Sequence, residues 1–194
     1  TVASSASQSG VRTTGADGWI IAHSYIHSWA TNCIIMVNSD NNIIEHNWLE
    51  GSHSTTEAHG QAIYLGYTRA TNWEIKYNTF HDINGSAVIF FSGAVSDVRI
   101  HGNLFWEEAT STDRGIFSVG GIIGHNNSGG DASNNTFYNN TVVGFRGRST
   151  SGQVAVDSGT GNLAHNNLWW QCNGVRFANW IHDFNAADIS LFEQ

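Results

Sequence analysis

The chain has 194 residues, of which 40% are hydrophobic and 12% are charged, so it is long enough to bury the core of one domain. Its formal net charge is −8, with one lysine and seven arginines. This balance excludes a basic surface that neutralises phosphates, and we expect no nucleic-acid partner. No apolar run approaches the roughly 20 residues that cross a bilayer, so we expect no membrane insertion.

The predicted elements form a repeat. After an irregular segment or partial coil over residues 1–18, a unit recurs in which an apolar residue is followed by a polar residue three places on and by a second apolar residue at the fifth place. The copies are Ile21/Ser24/Ile26, Ile44/Asn47/Leu49, Ile75/Asn78/Phe80, Ile100/Asn103/Phe105, Phe137/Asn140/Val142 and Leu163/Asn166/Leu168. From Ser24 the middle residues are spaced by 23, 31, 25, 37 and 26 residues, which is typical of one solenoid turn. The interval of 37 leaves room for a degenerate copy at Ile123/Asn126.

Each asparagine is expected at a tight corner, because asparagine tolerates the left-handed backbone region better than other non-glycine residues. Stacked coils would align these side chains, whose amides would hydrogen-bond to those ~4.8 Å above and below. A second series of apolar strands would form the first sheet of each coil, over residues 33–39, 62–67, 87–93, 115–121 and 154–159. Residues 172–194 fit the pattern poorly and would cap the stack or begin another coil.

These patterns predict an all-β fold over residues 1–194: a single-stranded, right-handed parallel β-helix of about six coils with an asparagine-rich corner ladder. The runs NWEIKYNTF (72–80) and NNTFYNNTVV (134–143) resemble the parallel β-helix repeats of the pectin lyase-like superfamily. The resemblance covers residues 19–170. It implies the fold rather than one activity, because that superfamily includes lyases, hydrolases, epimerases, tailspikes and adhesins.

In lyases of the superfamily, a groove along the first sheet and its flanking loops holds the sugar chain. The matching loops here would align His27, Glu50 and later carboxylates, imidazoles and arginines along one edge. Elimination from a uronate needs a base and a group that neutralises the uronate carboxylate. Carboxylates could neutralise it by holding Ca²⁺, or arginines by direct bidentate contact, and the sequence leaves both open.

The candidate residues at this edge fall into three groups. The catalytic candidates are His59, His81, Arg114 and Arg146. The substrate-binding candidates are His53, Tyr64, Tyr67, Arg69 and Arg148. The metal-ligand candidates are Glu57, Asp82, Glu107, Glu108 and Asp113.

Several residues have a structural interpretation instead. His23, His46, His125 and His165 precede corner residues and are expected to form one stack, whereas the pairs Glu45–Lys76 and Glu74–Arg99 are expected to be cross-strand salt bridges. Tryptophans near the corners would cover apolar columns, and any that are exposed would offer flat faces for sugar rings.

Two functional hypotheses follow. The first is a secreted carbohydrate-active enzyme, most plausibly a polysaccharide lyase that cleaves a uronate-containing polysaccharide by β-elimination. The second is a non-catalytic glycan-binding, adhesive or fibre-forming module, extracellular or on the cell surface, that self-associates through uncapped ends. A hydrolase resembling polygalacturonases is a weaker third option, because the chain lacks the Asp-Asp pair and the Asn-Thr-Asp run of those enzymes.

Overall fold

The fold is a coiled ribbon of short parallel strands. A computed structural model of the chain describes residues 9–51, 60–83, 85–107, 122–126, 130–145, 154–172, 175 and 177–187. All helices and strands assigned among these residues are β-strands, with no helix among them. All strand pairs are parallel, and the strands form three sheets, named A, B and C here. No helix long and apolar enough to cross a membrane occurs within those ranges.

Each coil contributes one strand to each sheet in turn. Sheet A contains β1 (Val11–Thr14), β4 (Ile34–Asp40), β7 (Ile63–Thr71), β10 (Ile89–Ser96), β13 (Ile123–Asn126), β14 (Ala132–Ser133), β17 (Val154–Ala155) and β20 (Phe177–Ala178). Sheet B contains β2 (Ile20–Ala22), β5 (Ile43–Glu45), β8 (Glu74–Lys76), β11 (Arg99–His101), β15 (Thr136–Tyr138), β18 (Leu163–His165) and β21 (Ile181–Asp183). Sheet C contains β3 (Tyr25–His27), β6 (Trp48–Glu50), β9 (Thr79–His81), β12 (Leu104–Trp106), β16 (Thr141–Val143), β19 (Leu168–Trp170) and β22 (Ala186–Ala187).

The order of paired strands follows the order of the chain in all three sheets, which confirms the predicted parallel β-helix. The number of coils differs slightly from the predicted six. At the start of the described chain, β1 pairs with β4 as part of a coil. At its end, β20, β21 and β22 continue all three sheets, so residues 177–187 form a further coil.

The core lies inside the coils, where the middle residue of each short strand points inward. In sheet C, for example, Leu49, Phe80, Phe105, Val142 and Trp169 are fully buried in successive positions along the helix axis. The rings of Phe80 and Phe105 stack with centroids 4.8 Å apart. Burying each such side chain contributes roughly 1.5–3 kcal/mol, and a single coil could not bury them alone.

A ladder of asparagines, all buried except the last, joins the coils at the corner between sheets B and C. Its members are Asn47, Asn78, Asn103, Asn140, Asn167 and Asn185. The backbone N–H of each donates to the side-chain Oδ1 of the next at 2.9–3.0 Å. The side-chain Nδ2 of Asn103 also donates to the carbonyl of Ile75, one coil back, at 2.9 Å. The predicted ladder is therefore confirmed.

Two details of the predicted corner are wrong. The left-handed backbone belongs to the residue before each ladder asparagine, as at His46 (φ 54°) and Tyr77 (φ 55°). In the fifth unit the ladder residue is Asn167, whereas Asn166 takes the left-handed position with φ 53°. The inward residues there are consequently Ala164 and Trp169 instead of Leu163 and Leu168.

The long interval between Asn103 and Asn140 conceals no extra coil. The backbone N–H of Asn103 donates directly to Oδ1 of Asn140 at 3.0 Å, so no coil lies between them. Ile123 pairs with Ile89 in sheet A, which gives residues 123–126 the place predicted for residues 115–121. The latter lie outside the described residues.

The predicted salt bridges form on the outer face of sheet B, where Lys76 lies 3.4 Å from Glu45 and Arg99 lies 4.0 Å from Glu74. The predicted histidine stack is only partly correct. His23 and His46 stack with centroids 5.1 Å apart, but His165 stacks on Tyr138 in a neighbouring column. His125 lies in sheet A, where it contacts the carbonyl of Gly93.

A second ladder at the corner between sheets A and B was not predicted. The backbone N–H of Val98 donates to Oδ1 of Asn135, and that of Asn135 donates to Oδ1 of Asn162, both at 3.0 Å. Trp73 occupies the equivalent corner of an earlier coil and donates from its indole nitrogen to the carbonyl of Ser39 at 2.8 Å. Different residue types at this corner hide it from a repeat search.

The adjacent asparagines of the fifth unit allow a matched test of the ladder. Asn167→Ala should lower the free energy of unfolding by about 2–3 kcal/mol, because it leaves the buried Phe137 carbonyl and Asn140 N–H without partners. Asn166→Gly should change it by less than about 0.5 kcal/mol, because glycine adopts positive φ readily. Urea denaturation measures both, and a larger loss in the Asn166 variant would contradict the assignment.

Candidate functional site

One row of outward side chains on sheet C gathers residues from the predicted polar edge. The strand register places His27 beside Glu50, Glu50 beside His81, and His81 beside Trp106. We call these four residues the sheet C row. Three of them were expected at one edge because loops and strand ends at the same place in successive coils become neighbours.

Glu50 is the centre of the row. Its Oε2 accepts hydrogen bonds from the Tyr25 hydroxyl at 3.1 Å and from the Trp48 indole nitrogen at 2.8 Å. Its Oε1 lies 3.4 Å from Nδ1 of His81. Tyr25 and Trp48 reach the carboxylate because each begins a strand whose third residue belongs to the row, and alternate residues of a strand share a face. The carboxylate is thus held by donors from two coils.

The two aromatic donors are exposed. Tyr25 retains 61% of its accessible surface and Trp48 retains 42%. The hydrogen bond to Glu50 raises the pKa of the Tyr25 phenol, with smaller contributions from desolvation and from the Glu50 charge. The phenol consequently remains a hydrogen-bond donor at neutral pH. Exposed aromatic rings beside a carboxylate form a surface that suits a hydroxyl-rich ligand.

His81 has a different environment. Its side chain is nearly buried, with the residue 8% exposed, and its ring stacks on Trp106 with centroids 4.1 Å apart. The edge of the ring faces Trp48 at 6.4 Å. Neither ring nitrogen makes a hydrogen bond, although buried polar atoms normally do. A buried imidazole next to a carboxylate is a candidate acid or base.

The turn after His81 is fixed by the next coil. Asp82 takes positive φ (62°), and the backbone N–H of Ile83 donates to Oε1 of Glu107 at 2.8 Å. Glu107 is buried, and its carboxylate anchors this turn. The structure therefore brings Asp82 and Glu107 to the same corner as His81, while their role as Ca²⁺ ligands stays a prediction.

The substrate-binding candidates of β7 lie on sheet A, away from the row. Tyr64 stacks on Phe90 on the outer face of that sheet, with centroids 5.6 Å apart. Tyr67 is exposed and has φ 87° within the irregular part of β7. Arg69 forms a salt bridge with Asp40 at 3.1 Å. The structure thus separates these side chains from Glu50 and His81.

The remaining candidates lie outside the described residues. They are His53, Glu57, His59, Glu108, Asp113, Arg114, Arg146 and Arg148. Where the chain is described, no group of three or more His, Cys, Asp or Glu side chains could hold a metal ion. Since most expected Ca²⁺ ligands are in the other segments, the Ca²⁺ site stays a prediction.

Tyr25 was not predicted to be part of the site, and Trp48 was predicted only as a corner residue. A signal was present in the runs YIH (25–27) and WLE (48–50), where an aromatic residue stands two places before the row position. That spacing places both side chains on one strand face. Only the register between coils, however, shows that both aromatic residues meet the same carboxylate.

A family model described as a right handed beta helix region matches residues 1–121. The match covers more than half of the chain and contains the whole sheet C row, from His27 to Trp106. Searches of curated proteins and of solved structures gave no significant match.

The link between Glu50 and Tyr25 gives a test of the row. In Glu50→Gln the pKa of Tyr25 should fall towards its ordinary value of 10.0, because the carboxylate that raises it is removed. NMR of ring-labelled tyrosine as a function of pH measures this. Glu45→Gln, which removes a glutamate from sheet B, should leave the Tyr25 titration unchanged. An unaltered Tyr25 pKa in Glu50→Gln would show that the observed hydrogen bond does not persist in solution.

Proposed function

The chain belongs to the right-handed β-helix family, and we propose that it is a carbohydrate-active member that binds a polysaccharide along the sheet C row. The observation that carries this proposal is the Glu50 carboxylate, held between the exposed side chains of Tyr25 and Trp48. Aromatic rings stack on the apolar faces of sugars, and a carboxylate accepts hydrogen bonds from their hydroxyl groups.

The solenoid suits a linear ligand. Adjacent parallel strands are spaced by ~4.8 Å, so side chains in one row form a regular array along the helix axis. On sheet C this array passes from Tyr25 and Glu50 to Trp106 over four coils. Successive sugar units could therefore meet successive coils of the row.

We further propose that the enzymatic activity, in a protein acting outside the cell, is β-elimination on a uronate-containing polysaccharide. His81 would remove the proton on the carbon adjacent to the uronate carboxyl group. The electron pair of the broken C–H bond would form the new C=C bond as the bond to the leaving oxygen breaks. The leaving oxygen would take a proton from water. Glu50 would stabilise the resulting imidazolium from 3.4 Å.

The buried position of His81 sets a requirement on this reaction. Both ring nitrogens are inaccessible, so one of them must become exposed when substrate binds. The uronate carboxylate must also be neutralised, a role proposed for Ca²⁺ or for Arg114, Arg146 or Arg148, which lie outside the described residues. The same burial favours a second candidate function, in which the row binds a glycan without turnover.

Trp48→Ala should weaken polysaccharide binding about tenfold, since one ring stacking contact contributes roughly 1.5 kcal/mol. Affinity electrophoresis in gels containing pectate, alginate or neutral glycans measures the effect. Trp19→Ala is the matched control, because Trp19 is another exposed tryptophan, at the corner between sheets A and B. Equal binding by the Trp48 variant and the wild type on every glycan would remove the row as the binding site.

The lyase reaction is tested by absorbance of the unsaturated product after incubation with pectate, alginate and glycosaminoglycans, with and without Ca²⁺. His81→Gln should abolish product formation and keep polysaccharide affinity within about twofold, since an acid–base group contributes about 10²–10⁴-fold to the rate. Binding by the folded wild-type protein without product from any substrate would favour the non-catalytic module.

A further inference from the structure

The outer face of sheet B carries a second group of ionisable side chains, on the strands β5, β8, β11 and β15. In one column the register aligns Glu45, Lys76, His101 and Tyr138, and in the other it aligns Glu74 with Arg99. We call these six residues the sheet B cluster. The sequence indicated only two isolated salt bridges here.

Glu74 joins the cluster together. Its Oε2 accepts a hydrogen bond from Nζ of Lys76 at 2.9 Å, and its Oε1 lies 3.0 Å from Nε2 of His101. The Lys76 hydrogen bond is the largest of the contacts that lower the pKa of Glu74, so this carboxylate is charged at neutral pH. A carboxylate at Nε2 orients the imidazole and leaves its Nδ1 as the atom for a ligand.

Arg99 supplies a cation with unused donors. Its side chain is 45% exposed, its Nη1 donates to Oδ1 of Asn72 at 3.3 Å, and its Nε lies 4.0 Å from Glu74. A guanidinium has five N–H donors in a planar fork, so three remain after these two contacts. A planar fork with free donors is the side chain that best matches an incoming carboxylate.

Tyr77 forms one wall beside these groups. It is 51% exposed, its ring stacks on His46 with centroids 5.1 Å apart, and it stands edge-on to His101 with centroids 5.6 Å apart. The ring lies over Gly102, where an added Cβ would come within 2.7 Å of two Tyr77 ring carbons. Equivalent turn positions in other coils carry side chains, such as His46 and Asn139. Gly102 therefore leaves the space that Tyr77 occupies.

We propose that the sheet B cluster is a second ligand site, specific for a carboxylate-bearing sugar. Arg99 would bind the sugar carboxylate, the exposed edge of the Tyr77 ring would contact the sugar ring, and Nδ1 of His101 would contact a hydroxyl group. The Tyr138 hydroxyl supplies a further donor, because burial, followed by the Glu74 charge, raises the pKa of that phenol. This site is independent of the sheet C row, which lies on another sheet.

Trigalacturonate is the probe, and a neutral galactose trisaccharide is its uncharged counterpart. Isothermal titration should show binding of trigalacturonate that Arg99→Gln weakens about tenfold or more, since a charge-assisted bidentate contact is lost. Tyr77→Ala should weaken it by a similar factor. Arg12→Gln, which removes an exposed arginine from sheet A, should leave it unchanged.

The same titrations distinguish failure of the sheet B proposal from failure of the function proposed for the sheet C row. If Trp48→Ala abolishes trigalacturonate binding and Arg99→Gln does not, the acidic sugar binds at the sheet C row and the sheet B proposal is overturned. Absence of trigalacturonate binding by the wild-type protein overturns it as well. Thermal melts check folding of each variant. If Arg99→Gln does not fold, NMR shift changes at Arg99 and Tyr77 in the wild-type protein decide the question, with unchanged shifts counting against the site.

Discussion

The hydrogen bonds of the asparagine ladder determine how each coil sits on the next. Each ladder asparagine satisfies a backbone N–H of the preceding coil with its Oδ1 and a carbonyl of that coil with its Nδ2, as Asn103 does for Asn78 and Ile75. These groups are buried, so a slipped register would leave several of them unpaired at about 1–3 kcal/mol each. The hydrogen bonds at the corner therefore allow only one register between coils, and this fixes the register of the strands on either side.

Both candidate sites follow from that register. The row residue of sheet C stands three places after the ladder asparagine, as in Asn47 and Glu50 or Asn78 and His81. The cluster residues of sheet B stand two or four places before it, as His101 and Arg99 precede Asn103. A fixed offset from a fixed corner aligns side chains from coils that are 23 to 37 residues apart in the chain. The position of a residue within the repeat thus determines which side chains of other coils lie next to it.

Much of the fold was predictable because each residue type of the repeat has one structural role: asparagine at the corner and apolar residues pointing inward. The Asn47, Asn78, Asn103 and Asn140 copies were assigned correctly, and the parallel sheets followed from their spacing. The fifth copy was shifted by one place because it contains two consecutive asparagines, and the choice between them depends on hydrogen bonds to neighbouring coils. The interval of 37 residues suggested an extra repeat copy that is not there. The chain between sheets C and A varies in length, which changes the period without adding a coil.

The chemistry was harder to predict than the fold. The sequence indicated that His27, Glu50 and His81 share an edge, and that Lys76 and Arg99 pair with glutamates. It did not show that Tyr25 and Trp48 both donate to Glu50, or that one carboxylate, Glu74, joins Lys76 to His101. Such side-chain contacts depend on the directions of side chains in two or three coils. The spacing of residues within one coil does not give these directions.

The two faces differ in the ligand that they suit, and the difference is electrostatic. Glu50 in the sheet C row is a carboxylate acceptor between neutral donors, so a bare uronate there would meet like charge. On sheet B the lysine and Arg99 already balance the two glutamates, and Arg99 is half-exposed with donors to spare. On these charges, the proposed site on sheet B would accommodate an acidic sugar by protein groups alone, whereas the proposed site at the sheet C row would accept neutral sugar units directly and acidic units only with an added cation.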